Sequence, residues 1–344
     1  MSLSTIQIDG RTIGPTHPPF VVAEIGVNHD GSLQKALQLV DAAAACGADA
    51  VKLQIFRAQA LLHPSAVFAQ YQKNSTSAEN PFEFLKQYEL SHEDIRRVVQ
   101  RIRDRKMIPL ATPFSPADVE IIDSMRLPGV KIASPDLVNR PLLECAAGLG
   151  KPLLISTGAA TMDEVEETVG WLRDWDAPFA LLHCISAYPV KNNLANLAWI
   201  DELAFRFDCA VGYSDHTTST LAGACVIEKH LTYDREAKGP DHAASSDPQL
   251  FDRYVRQIRD AQEFRGAPGK TVLPVEEDVR MVSRQSLVLR RTLFPGSTLK
   301  REDLTVQRPG TGLPAALITR AIGRRVVRVA PAGSLLQWDM LDAA

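Results

Sequence analysis

Along this 344-residue chain, charged and hydroxyl side chains recur in one kind of place, the polar end of a short apolar run. Glu24 sits near the end of Phe20–Gly26, with Asn28 and His29 just beyond. Lys52 and Gln54 alternate with Val51, Leu53 and Ile55, so in an extended segment both project from one face. Thr112, Lys131 with Ser134, Ser156 with Thr157, His183-Cys184 with Ser186 and Tyr188, Ser214-Asp215-His216 and Glu228-Lys229-His230 close further runs. Burying so many polar groups without a purpose is costly. Two lysines and several hydroxyls suit an anion dense in phosphate or carboxylate oxygens. The alternative is that Lys52 and Lys131 pair with Glu24 or Glu228 inside the protein. His216 and His230 are candidate ligands for a divalent metal, with Asp215 or Glu24 to assist. Because no HExxH-type signature accompanies them, two hydrogen-bonded structural histidines are the competing reading.

Other chemistries fit less well. Ser214-Asp215-His216 contains the three residue types of a hydrolase triad, but adjacent residues at a strand end point in different directions, and no GxSxG elbow is present. Cys184 reads as buried packing rather than a nucleophile. A Schiff-base aldolase using Lys52, Lys131 or Lys229 and a carbohydrate-binding protein without catalysis are the rival functions. In Gly239-Pro240-Asp241-His242, Asp241 is either a sugar-hydroxyl contact or a turn residue. Arg308, ahead of Pro309-Gly310-Thr311-Gly312, is either a ligand contact on a rigid turn or a solvated arginine.

Positioning these residues together requires a repeating scaffold. Strands are expected at Phe20–Gly26, 49–56, 107–112, 129–134, 152–157, Phe179–Cys184, 209–214 and 226–231, with amphipathic helices between. Ser32 caps a helix starting at Leu33, Ser91 one over 92–105; others are expected over Pro116–Ser124, 162–175 and 217–225. Eight such alternations in about 250 residues have the size of a (β/α)8 barrel, whose chemistry gathers at the C-terminal ends of the strands. An open doubly wound sheet is the second choice, since no glycine-rich phosphate turn follows the first strand. Residues 56–90 and 231–248 are long insertions, a position often occupied by lids or contacts. The expected boundaries are a barrel over 1–268, a linker over 269–284 and a small, mostly β domain over 285–344.

Charge excludes other classes. With 38 basic and 41 acidic residues, the net −3 argues against general affinity for nucleic acid or anionic membranes. No apolar run is long enough for a membrane span, no secretory signal is evident, and five cysteines without CxxC spacing read as reduced thiols, so a cytoplasmic protein is expected.

Taken together, Ala23-Glu24-Ile25-Gly26-Val27-Asn28-His29-Asp30-Gly31-Ser32, Val51-Lys52-Leu53-Gln54, Thr112-Pro113-Phe114, Lys131-Ile132-Ala133-Ser134, Ser156-Thr157-Gly158, His183-Cys184, Tyr188-Pro189, Gly212-Tyr213-Ser214-Asp215-His216-Thr217 and Glu228-Lys229-His230 resemble the sialic acid synthase family. The segment around Arg308-Pro309-Gly310-Thr311-Gly312 resembles its C-terminal antifreeze-like (SAF) domain. The resemblance implies condensation of phosphoenolpyruvate with an N-acylated mannose-type sugar, release of phosphate, a divalent metal (Mn2+ or Mg2+) and a domain-swapped homodimer. It assigns His216 and His230 to the metal. Lys52, Gln54, Thr112, Lys131, Ser134, Ser156, Ser186 and Ser214 go to phosphoenolpyruvate, and Glu24 to an acid/base or orienting role. Tyr188, Asp136, Asp241 and the partner chain's Arg308 go to the sugar. Ala133-Ser134-Pro135-Asp136 replaces the Gly-Ser-Gly-Glu common in N-acetylneuraminate-forming members, and Ser186 replaces their asparagine. These departures resemble the legionaminate and spore-coat-polysaccharide branch.

Overall fold

The computed structural model describes residues 5–66, 80–217, 224–265 and 272–342. Two compact units divide at Gly266/Ala267. The first opens with a hairpin of β1 (Ile6–Ile8) and β2 (Arg11–Ile13). Eight parallel strands follow: β3 (Phe20–Gly26), β4 (Ala50–Ile55), β5 (Ile108–Pro113), β6 (Val130–Ile132), β7 (Leu153–Ser156), β8 (Phe179–Cys184), β9 (Ala210–Asp215) and β10 (Val226–His230). They pair in chain order, and β10 closes onto β3, which makes a closed (β/α)8 barrel. Helices alternate with the strands, and several begin as their capping residues dictate. Ser32 accepts from the Lys35 amide, Ser91 from Asp94, Ser115 from Asp118, and Thr161 forms a capping box with Glu164.

The strand period of two sorts the barrel side chains into two sets. One set, including Val21, Ala23, Val51, Leu53, Val130 and Ile132, packs against the surrounding helices. The other set lines the interior. At the N-terminal end it consists of Phe20, Val22, Ala50, Leu110, Leu154, Ala180, Ala210 and Val226, packed with Ile6, Ile8 and Ile13 of the hairpin. The hairpin residues therefore complete the apolar floor. Continuing up the same strands in steps of two, the interior positions become Glu24, Lys52, Thr112, Ser156, Ser214 and Glu228. Apolar burial holds the lower half closed, which leaves the upper half for chemistry.

The long segment after β4 is not simply a polar insertion. Its described parts contain helices Ala58–Leu61 and Pro81–Lys86, and Phe84 and Tyr88 pack with Val27 and Phe56 in a separate apolar cluster. The expected helix at 217–225 lies mostly outside the described residues; Thr217 itself forms a bridge with Val190.

The second unit has its own core, built on Leu287, Leu289, Leu293, Leu299, Leu304, Leu313 and Leu336. Antiparallel β11 (Ser286–Leu289) and β12 (Leu304–Gln307) form its only regular sheet among the described residues. Arg325 and Val326 contribute isolated bridges, Thr298 with Arg325 and Val326 with Leu341. Residues assigned above to a linker include a helix, Glu277–Ser283, whose Met281 carbonyl accepts from the Gly310 amide at 2.7 Å. That end of the linker is therefore part of the second unit.

Candidate active site

A cavity of about 420 Å³ opens at the C-terminal end of the barrel. Lys52, Gln54, Thr112, Lys131, Ser134, Ser156, Ser186, Tyr188, Ser214, His216, His230 and Asp241 all line it, so most of the expected site residues, far apart in sequence, converge on one space. Val27, Phe56, Leu61, Leu85 and Phe114 add an apolar wall on one side. Asp136 is not among the lining residues; it lies on a 3-10 turn (Ser134–Asp136) and accepts from Asn139 Nδ2 at 2.9 Å. Arg308 belongs to the second unit, where it is exposed.

At the floor of the cavity lies a buried ionic cluster. Lys52 Nζ pairs with Glu24 and lies 3.7 Å from Glu228 Oε2 and 3.1 Å from Thr112 Oγ1. Lys131 Nζ donates to Ser156 Oγ at 2.7 Å and lies 3.6 Å from Glu228 Oε1, which also accepts from Ser214 Oγ at 2.9 Å. The ion-pair reading of the two lysines thus holds, and both side chains nevertheless line the cavity. Burial opposes the charge on Lys52, but Glu228 and Glu24 outweigh it and hold its pKa above the usual lysine value. Burial lowers that of Lys131 despite Glu228. Glu228 is held below the usual carboxylate range because Lys131 and Lys52 outweigh its desolvation. Its Oε2 has no hydrogen-bond partner.

Glu24 occupies a deeper layer. It is fully buried and absent from the cavity lining, touching Lys52 and, at 3.5 Å, Gln54 Nε2. Desolvation pushes its pKa up to about 7 against the pull of Lys52. This placement fits the orienting role better than direct acid/base chemistry. Glu228, which the sequence reading left outside the site, lines the cavity instead. Alternation could have found it: Glu228 and His230 share the inner face of β10, while Lys229 between them points outward.

That outward position removes Lys229 from the chemistry. Its ammonium pairs with Asp215 at 3.0 Å and donates to the Thr217 carbonyl, and Asp215 also accepts from Tyr254. Ser214 and His216 face the cavity, whereas Asp215 is engaged on the other side of the wall, so the three adjacent residues form no triad.

Near the rim, Gly158 carries the turn after β7. A Cβ there would lie 2.8 Å from Ser134 Oγ and 2.9 Å from Cys184 Sγ, and closer still to Ser186 Oγ. Its amide donates to Ser134 Oγ at 3.0 Å. Glycine thus leaves room for two hydroxyls and a backbone N–H to crowd together, a cradle suited to an oxyanion.

His216 and His230 meet above this floor, their ring centroids 5.3 Å apart. Tyr188 stands against both, at 4.2 Å and 5.9 Å. His216 Nδ1 donates to the Ile185 carbonyl at 2.9 Å and lies 3.7 Å from Cys184 Sγ; burial opposes its charge, but Cys184 and the Ile185 carbonyl outweigh it and raise its pKa, and Nε2 is the ring nitrogen that a metal could use. His230 Nδ1 is buried without a hydrogen-bond partner; Asp241 Oδ2, at 3.6 Å, is too far to supply one. Burial, with His216 and the nearby lysines, holds His230 well below the usual imidazole range, so it is neutral. Two facing imidazoles, one of them held neutral with an orphaned ring nitrogen, and an adjacent carboxylate fit a divalent cation. Among the described residues no group of three or more His, Cys, Asp or Glu side chains could hold a metal ion.

A closed parallel barrel with a charged, water-accessible floor and an imidazole pair at its mouth defines an anion-handling (β/α)8 enzyme. Residues 39–270 match the NeuB family model and 284–342 the SAF domain model. N,N'-diacetyllegionaminic acid synthase of Legionella pneumophila is 37% identical over 99% of each chain. The human N-acetylneuraminate-9-phosphate synthase is 30% identical over 99% of this chain and 98% of its own. A solved N-acetylneuraminic acid (sialic acid) synthetase of Leptospira borgpetersenii is 29% identical, with a TM-score of 0.73 over 80% of this chain and 95% of that one. The chain belongs to the NeuB family. No helix among its described residues is long and apolar enough to cross a membrane.

Proposed function

We propose that this chain is a nonulosonic acid synthase. It joins C3 of phosphoenolpyruvate to the aldehyde carbon of an open-chain N-acylated mannose-type sugar and releases inorganic phosphate. The observation that supports this reading above all is the pair of buried ammonium groups, Lys52 and Lys131, facing one cavity together with Thr112, Ser134, Ser156, Ser186 and Ser214. Such a floor matches the carboxylate and phosphate of a small, highly charged anion. Glu24 and Glu228 balance the lysines. An arriving anion competes with them, and Glu24, poised near neutrality by burial, can take up a proton and release Lys52 to the ligand.

The sugar is placed in the upper half, against Tyr188, Asp241 and the apolar wall. His216 and His230 would hold a divalent cation, and imidazole ligands suit manganese better than magnesium. Bound there, the metal would supply Lewis-acid polarisation of the sugar's carbonyl oxygen. Lys52 and Lys131 fix the enol phosphate so that C3 faces that carbon, an orientation effect. Water adds at C2, and the C2–O bond to phosphate breaks, leaving the keto acid. Glu228 lines the cavity between Lys52 and Lys131, where its carboxylate would accept the proton of that water. The active assembly is a cytoplasmic homodimer in which Arg308 of one protomer contacts the sugar in its partner.

The test is a phosphate-release screen combining phosphoenolpyruvate with N-acetylmannosamine, diacetamido-trideoxymannose and the pseudaminate precursor, with and without manganese. Phosphate release that requires both substrates and the metal supports the assignment. Borohydride trapping of a keto acid on Lys52 or Lys131 would favour a Schiff-base aldolase instead.

A further inference from the structure

The segment after β10 leaves the barrel at Leu231 and returns at Ser246, where the two residues form a bridge. Its ends are thus closed. Asp241, which the reading above places on the sugar, lies between them. Its neighbour His242 is fully buried; its Nδ1 lies 2.6 Å from Thr232 Oγ1 and its Nε2 3.0 Å from Asp30 Oδ1. Asp30 is on the loop after β3, at the opposite side of the barrel seam, in a left-handed backbone conformation (φ 49°). Its other oxygen accepts from Lys35 Nζ at 2.7 Å and from the Tyr233 hydroxyl. Lys35 in turn lies over the Tyr233 ring, 4.5 Å from its centroid. One carboxylate therefore gathers three donors, two of them from the loop that carries Asp241. A second tie runs from Asn28 Nδ2 to Ser245 Oγ at 2.8 Å, and that hydroxyl donates to the Asp241 carbonyl at 2.7 Å.

We infer that Asp30 and His242 are positioning residues: they latch the 231–246 loop to the loop after β3 and so hold the Asp241 carboxylate over the sugar half of the cavity. This rests on the assignment of Asp241 to the sugar. Neither Asp30 nor His242 lines the cavity, so neither can act on substrate directly. Two ties from this loop to one carboxylate join it to the loop after β3, whereas its backbone pairs with neighbouring strands only at its ends. The anion floor, built on β4 to β10, does not involve the latch. Loosening it should therefore disturb the acceptor sugar and spare phosphoenolpyruvate.

The experiment compares the full-length enzyme with Asp30→Ala, Asp241→Ala and the double variant. Initial rates give KM for each substrate, and hydrogen exchange follows the amides of residues 232–246. The latch predicts faster exchange of those amides in Asp30→Ala. It predicts an acceptor KM raised roughly ten- to a hundredfold, the worth of a hydrogen bond to a charged group. The phosphoenolpyruvate KM stays within about twofold. In the Asp241→Ala background, Asp30→Ala should have little further effect on acceptor KM. Unchanged exchange, or an equal rise in acceptor KM with and without Asp241, overturns the inference. An unchanged acceptor KM in Asp241→Ala alone also overturns it, but by removing Asp241 from the sugar site, which the exchange data separate from failure of the latch. If Asp30→Ala does not fold, Tyr233→Phe removes one of the two loop ties to Asp30 and should give a smaller version of the same pattern.

Discussion

Replacing Lys131 with methionine tests the anion floor. The substitution keeps most of the side-chain volume and deletes the charge. Lys131 Nζ lies 2.7 Å from Ser156 Oγ and 3.6 Å from Glu228 Oε1, so it contributes both a hydrogen bond and a field. A unit charge about 4 Å from an anion is worth roughly 4 kcal/mol at an effective dielectric of 20. Phosphoenolpyruvate carries more than one charge, but Lys52 remains and Glu228 becomes less well neutralised. A net loss of about 2–4 kcal/mol follows, or some thirty- to a thousandfold in kcat/KM for phosphoenolpyruvate. Stability should fall as well, because a buried carboxylate loses one of two partners; Lys52, 3.7 Å from Glu228, keeps that loss below the roughly 3–5 kcal/mol of a fully broken pair. Phosphate release is measured at saturating sugar with phosphoenolpyruvate varied, alongside a thermal melt. Lys229→Met is the comparison: it breaks a buried pair with Asp215 behind the wall and should lower the melting temperature without changing the phosphoenolpyruvate KM. A Lys131→Met enzyme that is folded, with kcat/KM within about threefold of the parent, would refute the reasoning.

Three further outcomes are expected. Gly158→Ala should raise the phosphoenolpyruvate KM at least about tenfold with little change in melting temperature, since the new Cβ displaces the Ser134 and Ser186 hydroxyls from the cradle; unchanged kinetics would remove the cradle from the anion site. Chelation should abolish turnover and manganese restore it, and His216→Ala should weaken manganese binding in calorimetry; undiminished binding would take His216 out of the metal site. His29, buried and held down at about 4 by desolvation, stays neutral in the fold while the unfolded chain protonates near 6.5. The unfolded state therefore binds the extra proton between those values, and stability contributed by His29 is lost as pH falls from about 6.5 to 4, by about 3 kcal/mol in all. Urea titrations across that range should show a shallower pH slope for His29→Gln than for the parent; identical slopes would contradict the assignment.

The barrel was legible because its strands carry unusually plain signals. Phe20–Gly26 and Phe179–Cys184 are apolar runs with polar ends, and their bounds in the structure match the expectation. Ser32 and Ser91 mark their helices through side-chain caps that a sequence displays directly. The β1–β2 hairpin was not visible: strands of three residues have too little periodicity to read, and its role in closing the barrel floor is wholly tertiary. Convergence of Lys52, Lys131, His216 and His230 followed from their strand ends once the barrel was assumed. Depth was harder. Glu24 and Lys52 are register partners between β3 and β4, yet only packing puts Glu24 beneath the lysine and Glu228 on the surface of the cavity. Asp136 reads from sequence as a site residue, but the 3-10 turn directs its carboxylate to Asn139. The bond between Asp30 and His242 joins residues 212 positions apart, which no local pattern announces.

The most direct test of the central claim uses phosphoenolpyruvate labelled with oxygen-18 in the bridging C–O–P position. Mass spectrometry of the released phosphate reports both the bond broken and the need for a sugar. Attack through C3 and cleavage of C2–O predict labelled phosphate, formed only when the acceptor is present. Unlabelled phosphate, or release at the same rate without any sugar, would contradict the account.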